Sequence, residues 1–129
     1  MAILTNVGKA LTASQMAGTT TTPPLYIGIG SGGTGSDPAA TVTSLVTPYS
    51  TGTPAARGVG AVTVQTTAQT GDTFQTVGSI TAAGSIVAVN EAGLFTAASA
   101  GTMAVVAGFA VINLAIGDSI QITGKIQYT

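Results

Sequence analysis

Seven side chains in this 129-residue chain carry a formal charge: Lys9, Arg57, Lys125, Asp37, Asp72, Glu91 and Asp118. There is no His and no Cys. Proton transfer by a paired acid and base would have to draw on the four carboxylates. Asp37, Asp72 and Asp118 sit beside Gly or Pro in turn-like sequence, where Asp commonly caps backbone amides. Only Glu91 lies inside strand-like sequence. A Ser–His triad and a thiol nucleophile are ruled out by composition. A Ser–Lys dyad through Lys9 or Lys125 has its residue types but no supporting pattern. Without Cys or His there is neither a zinc site nor a disulfide framework. A net charge of −1 leaves no basic face to neutralise phosphates, so nucleic-acid binding is not expected. Neither enzymatic activity nor a cofactor or metal is expected.

One phosphate-cradle pattern is present. Gly28-Ile29-Gly30-Ser31-Gly32-Gly33 matches G-x-G-x-x-G and follows a strand-like stretch. A dinucleotide site also needs a helix opening at that turn and an acidic residue about 20 positions on. Asp37 comes too early, the next acid is Asp72, and Pro38 interrupts a helix. The run reads instead as a strand entering a flexible loop.

Arg57 and Glu91 stand apart from the other charges. Each is flanked by small or apolar residues, Ala55-Ala56-Arg57-Gly58-Val59 and Val89-Asn90-Glu91-Ala92-Gly93. Charges in such company are usually paired. An ion pair between them, within the subunit or across an interface, is one reading; two solvated strand-end charges is the other.

The elements that position these residues are mostly strands. Residues 3–17 read as a short amphipathic helix with Ile3, Val7, Ala10, Leu11 and Ser14 on one face. Thr5 or Asn6 would cap its start and Gly18 its stop, while Gly8 weakens it. A polar connector ending in Pro23-Pro24 leads to a strand over 25–30. Residues 42–48 read as a short strand or helical turn between two Gly/Pro-rich loops. Strands follow over 58–67 (Val62, Val64 and Thr66 on one face), 73–82, 85–97 (Ile86, Ala88, Leu94, Phe95) and 102–114. The last strand has Ile120, Ile122, Gly124, Ile126 and Tyr128 facing one way, and Gln121, Thr123, Lys125 and Gln127 the other. Phe74, Phe95, Phe109 and Tyr128 read as core. Successive strands without intervening helices predict a mainly β fold, an antiparallel β-sandwich, jelly-roll-like or related, with a short N-terminal helix or arm. The expected organisation is a helix or arm with its connector over 1–24 and a single sandwich domain over 25–129.

Mean hydropathy is +0.54, high for a soluble domain. The continuous apolar part, 103–116, is shorter than the roughly 20 residues a spanning helix needs. Neither a membrane segment nor a signal peptide is expected. A typical surface carries far more charge than this one can, so much of the exterior is expected to face other subunits.

Laid out in order, these segments resemble a known class. The chain has a Thr5-Asn6-Val7-Gly8-Lys9 start and the strand and loop Tyr26-Ile27-Gly28-Ile29-Gly30-Ser31-Gly32, followed by a lone Arg57. Then come Asn90-Glu91-Ala92-Gly93-Leu94-Phe95, a Gly101-Thr102-Met103 step and a closing Ser119-Ile120-Gln121-Ile122-Thr123-Gly124-Lys125-Ile126. The pattern resembles small virion structural proteins of tailed bacteriophages. It is similar to capsid decoration (cement) proteins and to domains of tail-fibre and tail-associated proteins, and it spans nearly the whole chain. Glu91 to Phe95 followed by Gly101-Thr102-Met103 is its most specific part. The resemblance implies a structural virion component made in the host cytoplasm. Its implied partners are the major capsid protein and copies of itself, as a trimer or dimer. A self-contained small β-domain suits a head decoration protein. A tail or tail-fibre-associated protein remains open, and so does a receptor- or carbohydrate-binding β-module. The last is poorly supplied with rings: there are three Tyr, three Phe and no Trp.

Overall fold

The computed structural model describes residues 2–20, 22–36, 38–49 and 56–129. Asp37, expected in a turn, and most of the loop expected over 49–56 lie outside them. The elements are β1 (Ala2–Leu4), α1 (Asn6–Met16), β2 (Tyr26–Gly30), β3 (Gly58–Val59), β4 (Ala61–Gln65), β5 (Thr73–Thr81), β6 (Val87–Phe95), β7 (Met103–Leu114) and β8 (Ser119–Gln127). They form two antiparallel sheets, one ordered β1-β7-β6-β2-β3 and the other β4-β5-β8, packed face to face as a β-sandwich.

The core between the sheets is aliphatic. Ile27, Ile29, Val87, Val89, Ala92, Leu94 and Val105 come from the larger sheet, and Ile80 from the smaller. Ile120, Ile122 and Ile126 of β8 close over them, as the period-2 pattern of that strand predicts. Two glycines make the fit. A Cβ at Gly124 would run into Leu94, and one at Gly78 would lie 2.7 Å from Ile27 Cδ1. Each absent side chain on the smaller sheet is the recess that a large aliphatic from the other sheet fills.

A second cluster lies on the outer face of the larger sheet. Leu45, Phe95, Met103 and Val106 are buried there, with Ile3, Tyr26 and Val42 packed against them. The segment carrying Val42 and Leu45 therefore folds across the back of the sheet. Among the described residues, 42–48 form neither a strand nor a helix; only a bridge between Gly30 and Pro48 ties them to β2.

The N-terminal segment is woven into the sandwich rather than lying apart from it. β1 is an edge strand, with Ala2 opposite Ala107 and Leu4 opposite Val105. Thr5 caps α1, as expected: its hydroxyl accepts from Gly8 N at 2.9 Å. It also donates to Met103 O at 2.6 Å, which explains why this Thr is fully buried. Gly8, read in the sequence as a weakness, is the point of closest approach. A Cβ there would collide with the Ala104 carbonyl of β7.

β6 departs from the sequence pattern. Val87 and Val89 are buried while Ile86 and Ala88 are exposed, the reverse of the expected face. Further along, Ala92 and Leu94 point inward. The alternation inverts across Asn90-Glu91, where the register with β7 jumps from Val89–Ile112 to Glu91–Gly108. Two steps on β6 answer four on β7, so the surplus residues of this bulge are on β7. Tyr128, expected in the core, lies past the end of β8 and is 48% exposed.

Candidate functional site

Two centres are built on the outer face of the larger sheet, side by side along β2. The first is Glu91. It is only 3% exposed, yet among the described residues no cation pairs with it. Its Oε1 accepts from Gly32 N at 3.1 Å and Thr47 N at 2.8 Å, and its Oε2 from Val46 N at 3.0 Å. Three charge-assisted bonds to backbone amides replace the water that burial removed. Asn90 works beside it. Its Oδ1 accepts from Gly33 N at 2.8 Å and its Nδ2 donates to Gly33 O at 2.5 Å. The bulge lets two successive side chains engage the same loop, which a regular strand would send to opposite faces. Asn90 and Glu91 thus clasp residues 32–33 at one end of the loop and 46–47 at the other.

This clasp explains the glycine run that imitates a dinucleotide motif. A Cβ at Gly30 would lie 2.5 Å from Glu91 Oε1, and one at Gly33 would collide with the Asn90 carbonyl. The glycines let the loop backbone approach a carboxylate and an amide; they cradle no phosphate.

The second centre is Arg57. Its guanidinium carbon lies 3.5 Å from the centroid of the Phe95 ring. Its Nη1 donates to Ala97 O at 2.8 Å and Ala100 O at 2.6 Å, two carbonyls of the turn between β6 and β7. Burial pushes the Arg57 pKa down from its ordinary value. The ring rests on the cross-strand glycines Gly28 and Gly93. An added Cβ would approach Phe95 Cε2 to 2.8 Å from Gly28 and 3.0 Å from Gly93. Gly28 and Gly93 form a floor, Phe95 lies on it, and Arg57 lies on Phe95.

Arg57 and Glu91, singled out from the sequence, are therefore neighbours along β2, Arg57 over Gly28 and Glu91 over Gly30. Within the chain they do not pair with each other: each has its own backbone partners. Nor is Glu91 a solvated strand-end charge. Phe95, read as core, is buried, but its stacking with Arg57 and the contacts of Asn90, Leu45 and the loop amides carry no mark in the sequence beyond the glycine run.

A third polar centre is the β4–β5 turn. Asp72 accepts from Thr67 N at 2.8 Å, Ala68 N at 2.9 Å and Gln69 N at 3.0 Å. Those amides, Ala68 foremost, hold its carboxyl well below the usual Asp range. Asp118, also read as a turn cap, accepts from Ala115 N at 2.9 Å. Among the described residues no three His, Cys, Asp or Glu side chains gather in a way that could hold a metal.

What remains for interaction is apolar surface. At one end of the sandwich the 82–86 and 115–118 turns are joined by Ala82 N to Asp118 O and Gly117 N to Ala82 O, both 2.8 Å. Ile86 (72% exposed) and Ile116 are exposed in these turns, and Val111 and Ile112 are exposed on opposite faces of the β7 segment that leads into them. Comparison with known proteins returns no match: no family model fits the chain, and neither does a curated protein or a solved structure.

Proposed function

We propose that this chain is a structural protein of a tailed-phage virion, a head decoration protein that binds the outer capsid surface and stabilises the shell. The observation that carries this reading is that Ile86, Val111, Ile112 and Ile116 are exposed in and beside the 82–86 and 115–118 turns, where Asp118 is the one charge. A water-facing surface ordinarily mixes charges among such residues. Here the same atoms suit burial against the major capsid protein. The resemblance adds weight, because its most specific residues hold the outer face and the core beneath it. Glu91 clasps the loop, Gly93 floors the stack, Leu94 fills the core and Phe95 carries Arg57. A protein that binds only the assembled shell stabilises it by mass action, without chemistry of its own.

Immunogold labelling of the phage particles that carry this gene tests the reading. Label on heads, together with earlier DNA release on heating particles that lack the protein, is the expected result. Label confined to tails would replace it with the tail-associated alternative, and unlabelled particles would end both. A carbohydrate-binding module is less well served by the structure. Tyr26 packs into the outer cluster and Tyr49 packs against the core with its hydroxyl on Ala88 O at 3.1 Å, which leaves Tyr128, 48% exposed, as the one tyrosine largely bare for stacking.

A further inference from the structure

Edge strands expose unpaired backbone groups, and soluble proteins usually guard them with charge, Pro, a bulge or extreme shortness. Among the described residues, three of the four sheet edges are guarded. β1 has three residues, β3 has two, and β8 carries Lys125. β4 is not. Its five residues, Ala-Val-Thr-Val-Gln, pair with β5 in unbroken register, include neither charge nor Pro, and are all exposed. No charged residue occurs anywhere from 58 to 71. Val64, Phe74 and Ile126 share one row of the sheet, and Ile126 packs on the core, so Val64 is turned to the inner side; yet it is 71% exposed.

We propose that β4 is a homodimer interface, in which the strands of two copies pair antiparallel about a two-fold axis through Thr63. The strand is complementary to itself in that register. Thr63 meets Thr63 of the second copy, each Val62 meets a Val64, and each Ala61 meets a Gln65. A two-fold antiparallel ladder requires paired residues of equal parity, because backbone groups alternate in direction along a strand. Axes through Val62 or Val64 satisfy that rule but leave residues at the strand ends unpaired. The Thr63 axis pairs all five, stacks four valines in two cross-strand pairs on the inner face, and opposes no like charges. Two three-stranded sheets become one of six strands, and an isologous interface of this kind closes on itself. The proposal concerns the purified chain and does not depend on where the protein works.

The absence of cysteine makes the test clean. Thr63→Cys places two thiols across the axis, where strand pairing holds Cα atoms about 4.5–5.5 Å apart, within disulfide range. Under mild oxidation it is expected to form a covalent dimer at least about ten-fold faster than Ala13→Cys on the exposed face of α1, because pairing raises the local thiol concentration. Ala61→Cys and Gln65→Cys should cross-link with each other in a mixture far better than either does alone. Without any thiol, amide exchange over 61–65 in the unmodified chain should slow as its concentration rises, and Val64→Lys should abolish that dependence. Thr63→Cys reacting no faster than Ala13→Cys would overturn the proposal. So would Ala61→Cys coupling to itself as readily as to Gln65→Cys, or exchange over β4 that ignores concentration while circular dichroism shows every variant folded.

Discussion

Arg57 lies over Phe95 with its guanidinium carbon 3.5 Å from the ring centroid, and from there it reaches two carbonyls of the β6–β7 turn. The stack joins the segment entering β3 to the turn that leaves β6, so one side chain aligns two connections. Arg57→Ala removes the cation–π contact and leaves the Ala97 and Ala100 carbonyls without that donor. The expected loss is about 1–3 kcal/mol of unfolding free energy. Arg57→Lys keeps the charge but not the planar fork, and should recover less than half. Urea denaturation of the three proteins measures both differences.

Glu91 should be the most costly polar residue to truncate. Glu91→Ala leaves the Gly32, Val46 and Thr47 amides without their acceptor under the folded loop, a loss of about 3 kcal/mol or more. Glu91→Gln keeps an oxygen for Gly32 and Thr47 but turns an NH2 toward Val46 N, costing about 1–2 kcal/mol. Hydrogen exchange locates the damage. The amides of Gly32, Val46 and Thr47 should exchange faster in both variants, while those of β8 stay as slow as before.

The recess at Gly124 predicts a rescue. Gly124→Ala drives a methyl into Leu94 and should cost about 1–3 kcal/mol. Leu94→Ala alone should cost about 2–5 kcal/mol. Combined, the two should cost clearly less than their sum, with a coupling of about 1 kcal/mol or more, because the added methyl occupies part of the space the leucine leaves. Strict additivity in a double-mutant cycle would mean that the sheets do not meet there.

Asp72 sets an acid-side dependence. Its folded pKa is depressed, so the stability it supplies is present above the ordinary Asp value of about 4 and is lost as pH falls toward the folded value. The gap in denaturation midpoint between wild type and Asp72→Asn should be widest near neutrality and narrow steadily below about pH 4. A gap that stays constant into strong acid would exclude the amide-bound carboxylate as its source.

Much of the architecture was legible because it is local. The alternation of Ile120, Ile122 and Ile126 marks a half-buried strand with no help from the rest of the chain. Thr5 and Gly18 mark the helix ends for the same reason: Thr5 caps the first turn, and Gly18 takes a positive φ of 71° just past the last. β6 was misread because period-2 reasoning assumes one unbroken alternation, whereas the bulge inverts it at Asn90-Glu91. β1 escaped notice since three residues show no period. Glu91 and Arg57 were legible as unusual, each being a charge in apolar company. Their partners are backbone groups some 40 to 60 residues away in sequence, and backbone groups leave no signature in the side-chain pattern.

The pairing of Ala2 with Ala107 sets the timing of the protein's assembly. β1 has its neighbour, β7, far along the chain. A ribosome adding about 5–20 residues per second leaves it waiting some 5–20 s for β7 to appear. Through that interval Ile3 and Leu4 lack their strand partner, while the β4–β5 hairpin forms from residues close in sequence. β1 is thus made long before it can be placed, and the edge it completes closes only once β7 has emerged.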